Sequence, residues 1–130
     1  MAERLRVLHV DDDPDIREVT AFSLELDPDL ELMSASSGAE ALAILQGGFQ
    51  PDVVLLDVMM PGMDGPQTLA RLRDIEGVKD TPVIFMTARG QARERSRYLS
   101  LGAQGVILKP FDPVSLASDL RDLLAAGCRG

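Results

Sequence analysis

One cysteine, Cys128, stands in 130 residues. A lone thiol closes no internal disulfide and supplies no Cys-x-x-Cys metal pair, so nothing argues for an oxidising compartment and the expected setting is the reduced cytoplasm. Long apolar runs are missing too. No stretch approaches the roughly 18 to 20 apolar residues of a membrane span. The opening Met1-Ala2-Glu3-Arg4-Leu5-Arg6 leads only into a short one, so the chain is expected to be neither secreted nor anchored. Positive charge is scarce: 13 lysines and arginines face 21 acids, leaving a net charge of −8. That balance disfavours a non-specific nucleic-acid surface, which needs a clustered basic surplus, and favours a cation. Lysine is the rarer base, with two beside 11 arginines, which makes Lys109 notable. The length fits one domain over residues 1–130, not two.

What is present is a strict alternation. Five short apolar, β-branched runs, Val7–Val10, Leu30–Ala35, Val53–Leu56, Val83–Met86 and Val106–Leu108, are brief enough to be strands. Helical patterns separate them. The first opens with Asp13 as N-cap and Pro14 at N1, and carries Ile16, Val19, Ser23 and Leu26. The second is capped near Ser37, carries Ala39, Leu42 and Leu45, and stops at Gly47-Gly48. The third begins at Gly65-Pro66 with Leu69, Leu72 and Ile75. The fourth, Gly90 to Leu101, offers only Ala92, Leu99 and Leu101 for packing. The fifth begins near Asp112-Pro113 with Leu116, Leu120 and Leu123. Five β-α units imply a parallel sheet with helices on both faces, a flavodoxin-like (βα)5 doubly wound sandwich in strand order 2-1-3-4-5. No effector segment is expected after the fifth helix.

In such a sheet the ligand site lies beyond the carboxyl ends of the strands. There the first run ends in Asp11-Asp12-Asp13, the third in Asp57, the fourth in Thr87 and the fifth in Lys109. Carboxylates sharing one crevice repel by about 4 kcal/mol per pair at 4 Å and an effective dielectric near 20, and a hard divalent cation relieves this. Mg²⁺ suits Asp12, Asp57 and a loop carbonyl such as that of Met59, with retained waters. Lys109 and the Thr87 hydroxyl could each bind one oxygen of a phosphoryl group, and an ionised Asp57 is an oxygen nucleophile toward an activated phosphate. Asp13 reads as a cap and not a ligand, and His9 as a packed strand residue and not a phosphorelay histidine.

The strings VLHVDDDPDIRE, PDVVLLDVMMPGMDG, PVIFMTA and GAQGVILKPFDP, in that order and spacing, resemble the receiver domain of bacterial two-component response regulators across essentially the whole chain. The resemblance implies that Asp57 is the phosphoacceptor, that Asp11 and Asp12 form the acidic pair, with Asp11 acting indirectly, and that Asp12, Asp57 and the Met59 carbonyl bind Mg²⁺. It implies further that Thr87 is the switch hydroxyl, Ala88 the small residue after it, Lys109 the phosphate-sensing lysine and Lys109-Pro110 a cis peptide. The partners would be a histidine kinase or histidine phosphotransfer protein and a downstream protein, with no nucleic acid and no membrane. The chain would be a signalling switch that catalyses its own phosphorylation and dephosphorylation, not an enzyme acting on an outside substrate.

A haloacid-dehalogenase-type Mg²⁺-dependent phosphatase shares the Asp, Thr, Lys and acidic pair. It needs a general acid two residues after the nucleophile, where Met59 stands, and its acidic pair comes last in sequence. An FMN phosphate would meet Asp11, Asp12 and Asp13 instead of donors, which excludes a flavin role. The chain departs from the receiver pattern at Val106, where an aromatic residue commonly sits three positions before the lysine. Activation is therefore expected to be read through Thr87, the loop after it and the fourth helix, whose Arg93, Arg95 and Arg97 face is open to an acidic partner.

Overall fold

Each short apolar run of the sequence is a strand, and all five join one parallel sheet. The computed structural model describes residues 5–88 and 92–127; Met1 to Arg4, the Gly90 start expected for the fourth helix, and Cys128 lie outside the described residues. The strands are β1 (Leu5–Val10), β2 (Leu30–Ala35), β3 (Val53–Asp57), β4 (Val83–Thr87) and β5 (Gly105–Leu108). Their order is β2-β1-β3-β4-β5, the doubly wound order expected. The helices between and after them are α1 (Pro14–Glu25), α2 (Gly38–Gln46), α3 (Gly65–Leu72), α4 (Ala92–Ser100) and α5 (Leu116–Gly127). Among the described residues no helix is long and apolar enough to cross a membrane.

Period-two alternation along each strand divides the core into two layers. Leu8, Val10, Val54, Leu56, Phe85 and Val106 face α2, α3 and α4, meeting Leu42, Leu45, Leu69, Leu72 and Tyr98. Val7, Leu55, Ile84, Met86 and Ile107 face the other way, onto Leu24 of α1 and Leu116 and Leu120 of α5. β3 and β4 are buried along their whole length, which is why their sequences are unbroken apolar runs and not alternating ones.

Local chemistry sets the helix starts. Asp13 caps α1 by accepting from the Asp15 amide, with Pro14 at N1, and Ser37 caps α2 by accepting from Glu40 N. Asp64 and Gln67 form a reciprocal capping box at α3. The turn after β3 depends on two glycines. Gly62 has φ +79°, in the left-handed region, and a Cβ on Gly65 would lie 2.6 Å from the Asp57 carbonyl oxygen and 2.9 Å from Val58 Cα.

The helix faces differ from the sequence reading at several positions. In α1, Val19 and Leu26 are 41% and 55% exposed, while Thr20 and Leu24 are buried. Apolar residues lie all round this helix and so leave its phase undetermined, and two of its inward residues, Thr20 and Ser23, are polar; Ser23 Oγ satisfies itself on the Val19 carbonyl at 2.8 Å. In α2 the inward alanine is Ala41, not Ala39, and Ile75 lies beyond the end of α3 while still packing on the core. On α4, Ala92 is exposed and Leu99 is 46% exposed, as is Leu101 just beyond the helix; Tyr98 is the buried residue. Its ring meets Phe85 edge-on, with centroids 5.2 Å apart at 68°, the geometry favoured by ring quadrupoles. The Arg97 guanidinium lies 5.9 Å from the Tyr98 centroid, so the amphipathic tyrosine joins α4 to the core and its arginine face at once.

His9 is fully buried in β1, in keeping with a packed strand residue, and its two nitrogens have no hydrogen-bond partner among the described residues. Burial pushes its pKa down from 6.5 to about 4; Asp11 pulls it up, and Lys109 and Arg17 push it further down. The unfolded chain therefore takes up a proton first, and this group's contribution to stability is lost as pH falls from 6.5 toward 4.

Tyr98→Ala should destabilise the fold by about 3 kcal/mol or more, as expected for a large aromatic deleted from a core, measured by urea denaturation. His9→Leu should remove a pH dependence worth about 3 kcal/mol across that acid window. The check is the difference between parent and variant denaturation midpoints at pH 6.5 and at pH 4.5; parallel curves would contradict the burial of a neutral imidazole.

Candidate functional site

The parallel sheet brings the carboxyl ends of β1, β3, β4 and β5 to one side, and every residue expected at the site lies there. Asp11, Asp12, Asp13, Asp57, Met59, Thr87, Ala88 and Lys109 line a single crevice of about 270 Å³. Position in the strand explains each placement. Asp57 is the last residue of β3, and Thr87 the last of β4. The Lys109 amide donates to the Thr87 carbonyl at 2.8 Å, continuing the β4–β5 ladder just far enough to aim the lysine inward. The Lys109–Pro110 bond is cis.

Lys109 Nζ lies 2.8 Å from Asp11 Oδ2 and 3.0 Å from Asp57 Oδ1, so one ammonium bridges two carboxylates contributed by strands 1 and 3. Asp11 is fully buried and Asp57 nearly so, while Asp12 is exposed at the rim. Both oxygens of Asp11 are engaged, Oδ2 by Lys109 and Oδ1 by the Asp13 amide at 3.0 Å. Asp11 thus bonds to both the lysine and the loop that follows it. Asp13 caps α1 and also lines the crevice.

The charges act on one another. Burial pushes the Asp57 carboxyl above the usual carboxylate range; the Lys109 bond opposes this, and the negative charges of Asp11 and Asp12 add to it. For Lys109, burial works against the ammonium, but the bonds and charges of Asp11 and Asp57 outweigh it and raise its pKa. A raised Asp57 pKa means that its ionised form is held at a cost, one that an added cation would relieve.

The donor set fits a hard divalent ion. One carboxylate oxygen each from Asp11, Asp12 and Asp57 lie within 4.8 Å of one another, and Met59, whose carbonyl is the expected neutral ligand, lines the same crevice. Oxygen-only donors with the exposed Asp12 at the rim match Mg²⁺, which keeps several waters, better than they match a soft or enclosed metal.

One residue near the crevice was not picked out from sequence. Arg17, on α1, sends its Nη1 back to the Asp11 carbonyl at 2.7 Å. The available signal was a cation in the early turns of a helix, where the macrodipole disfavours it unless its head group is used elsewhere.

Comparison with known proteins gives the same picture. The profile of the response regulator receiver domain matches residues 7–121. Response regulator Rre1 of Synechocystis is 39% identical over 125 residues, covering 96% of this chain and 54% of that protein. The phosphate regulon transcriptional regulatory protein PhoB of Pseudomonas aeruginosa is 36% identical over 118 residues, covering 91% and 51%. The chain thus spans about half the length of the curated relatives it matches. Among solved structures, the chemotaxis response regulator CheY4 of Vibrio cholerae superposes with a TM-score of 0.84 at 32% identity, covering 92% of this chain and 98% of that one. A Francisella response regulator receiver domain gives 0.82 at 28%, covering 95% and 99%. A profile spanning residues 7–121, together with response regulators among the sequence relatives and a TM-score of 0.84 to a solved one, makes this chain a member of the response regulator receiver domain family.

Proposed function

We propose that this chain is a phosphorylation-dependent switch in which Asp57 accepts a phosphoryl group from a histidine kinase or a histidine phosphotransfer protein, with Mg²⁺ as cofactor. The observation that carries the reading is the lysine bridge: Lys109 bonded to both Asp11 and Asp57 at the mouth of the crevice. A metal held by Asp12, Asp57 and the Met59 carbonyl would supply charge neutralisation for the incoming phosphoryl group. The protein's own groups do the rest. A carboxylate oxygen of Asp57 forms the new P–O bond as the P–N bond of a phosphohistidine breaks. Lys109 then exchanges its Asp57 contact for a phosphoryl oxygen while Asp11 keeps hold of the ammonium. Thr87, at the end of the neighbouring strand, offers its hydroxyl to another oxygen. Asp57 is raised in pKa before the reaction, which makes it the more basic oxygen nucleophile.

The haloacid-dehalogenase alternative receives no support: the family is a signalling one, and Met59 stands where that chemistry needs an acid. The charge of −8 argues against nucleic-acid contact by this chain's own surface. It does not speak for relatives of about twice the length, one of which, RpaA of Synechocystis, is named a DNA-binding regulator. The output we assign to the Thr87 end of β4 and to α4, whose Arg93 and Arg95 are exposed to an acidic partner surface.

Acetyl phosphate with Mg²⁺ should add one phosphoryl group to the chain, read by intact mass. Asp57→Asn should take none, and chelation of the metal should abolish the labelling of the parent; equal labelling of Asp57→Asn would overturn the assignment. Asp12→Ala should weaken Mg²⁺ binding by at least about tenfold without loss of stability in metal-free buffer, because it removes one of three mutually repelling carboxylates. Calorimetric Mg²⁺ titration and a thermal melt in chelator check the two halves.

A further inference from the structure

We infer that Arg17 is a positioning residue of the acidic crevice: it holds the Asp11 peptide so that Asp12 stands at the rim in the orientation that takes a divalent cation. The inference rests on the metal-site reading above and assigns a residue to it that lies outside the carboxylate set.

The chain turns within three residues from the end of β1 to the start of α1, and Asp11 is the pivot. Its amide donates to the Ala35 carbonyl of β2 at 3.1 Å, and its two carboxylate oxygens accept from the Asp13 amide and from Lys109. The remaining backbone group, the Asp11 carbonyl, accepts from Arg17 Nη1 at 2.7 Å, a charge-assisted bond in a half-buried setting. That carbonyl belongs to the Asp11–Asp12 peptide plane. Fixing it therefore fixes the backbone from which the Asp12 side chain leaves, just as outer groups orient metal ligands elsewhere.

The location argues for a dedicated purpose. Arg17 is the fourth residue of α1, at the end where the helix dipole favours acids, as Asp15 shows. A cation there is unfavourable unless its head group finds compensation, which the Asp11 carbonyl and the adjoining negative crevice provide. The Arg17 charge also reaches this region directly, since it depresses the protonation of His9 alongside Lys109.

Two roles for Arg17 predict opposite signs. If it merely placed a positive charge near three carboxylates, removing it would make the crevice more negative and Mg²⁺ would bind more tightly. If it positions Asp12, removing it weakens Mg²⁺ binding despite the more negative crevice. The test is calorimetric titration of MgCl₂ into the full chain at fixed ionic strength, with thermal melts in chelator run beside it. Arg17→Met should bind Mg²⁺ about tenfold more weakly or worse with an unchanged metal-free melt, and Arg17→Lys, which restores one donor, should recover part of the loss. Unchanged or tighter binding by Arg17→Met overturns the role, as does a lysine variant no better than the methionine one. If Arg17→Met does not fold, Arg17→Gln, neutral and too short to reach, replaces it under the same criteria. A parent chain that binds no Mg²⁺ overturns the metal-site reading itself, and this role with it; a parent that binds normally confines any failure to Arg17.

Discussion

A single ammonium group makes this site possible. Three carboxylates at the ends of two strands would repel one another by several kcal/mol if left alone at low effective dielectric, and Lys109, reaching in from the end of β5, offsets that by bonding two of them. The bridge joins residues 98 and 52 positions apart in sequence, so it forms only when β1, β3 and β5 are all in register. It connects the outer strand β5 to the centre of the sheet across the crevice. Removing the lysine would leave two buried carboxylates facing each other, the costly arrangement for any interior ion pair. The compensation is incomplete, as the raised Asp57 pKa shows. That residual cost is one an external cation would relieve, so the same electrostatics that limit stability favour positive charge in the crevice.

The sheet supplies the geometry that the bridge needs. Parallel strands connected by crossovers all point their carboxyl ends the same way, and the order β2-β1-β3-β4-β5 reverses winding between β1 and β3. The acidic turn after β1 and Asp57 at the end of β3 therefore face each other across adjacent strands. Packing then makes the site rigid. Gly65 brings the β3–α3 turn within van der Waals range of the Asp57 carbonyl, and its amide donates to the Val58 carbonyl at 2.9 Å. A fully buried β3 fixes the strand beneath.

Much of this was legible from residues alone because it depends on local pattern. Short apolar runs such as Val53–Leu56 and Val83–Met86 cannot be surface helices, caps such as Asp13-Pro14 and Ser37 announce helix starts, and polar residues at strand ends mark the ligand side. What failed to show was phase and partnership. α1 carries apolar residues on several faces and polar Thr20 and Ser23 within, so hydrophobicity pointed to Val19 and Leu26, which the structure leaves in solvent. α4 is mostly charged, and the leucines that seemed its anchors are outward; Tyr98 is the anchor because Phe85, 13 residues earlier in β4, offers a ring edge to receive it. Arg17 carried only a faint signal, a cation in the early turns of a helix, because its partner is a backbone carbonyl and no side chain in the sequence marks the pair.

With Val106 in place of the usual ring, the aromatic packing of this chain is found elsewhere in the sheet. Val106 is buried and β-branched, with little freedom to change rotamer. Ring mass sits one strand inward instead. Phe85 lies in β4 two residues before Thr87, and its Cε1 would be 3.2 Å from a Cβ placed on Gly65, while its other neighbour is the Tyr98 ring of α4. Phe85 thus stands between the close-packed turn at Gly65, beside the Asp57 carbonyl, and the Tyr98 ring of α4, whose face the Arg97 guanidinium approaches. In a core packed at crystal-like density a displacement of the turn after Asp57 has no void to absorb it. In the proposed switch this line, which ends at the basic face of α4, is where such a displacement would be taken up.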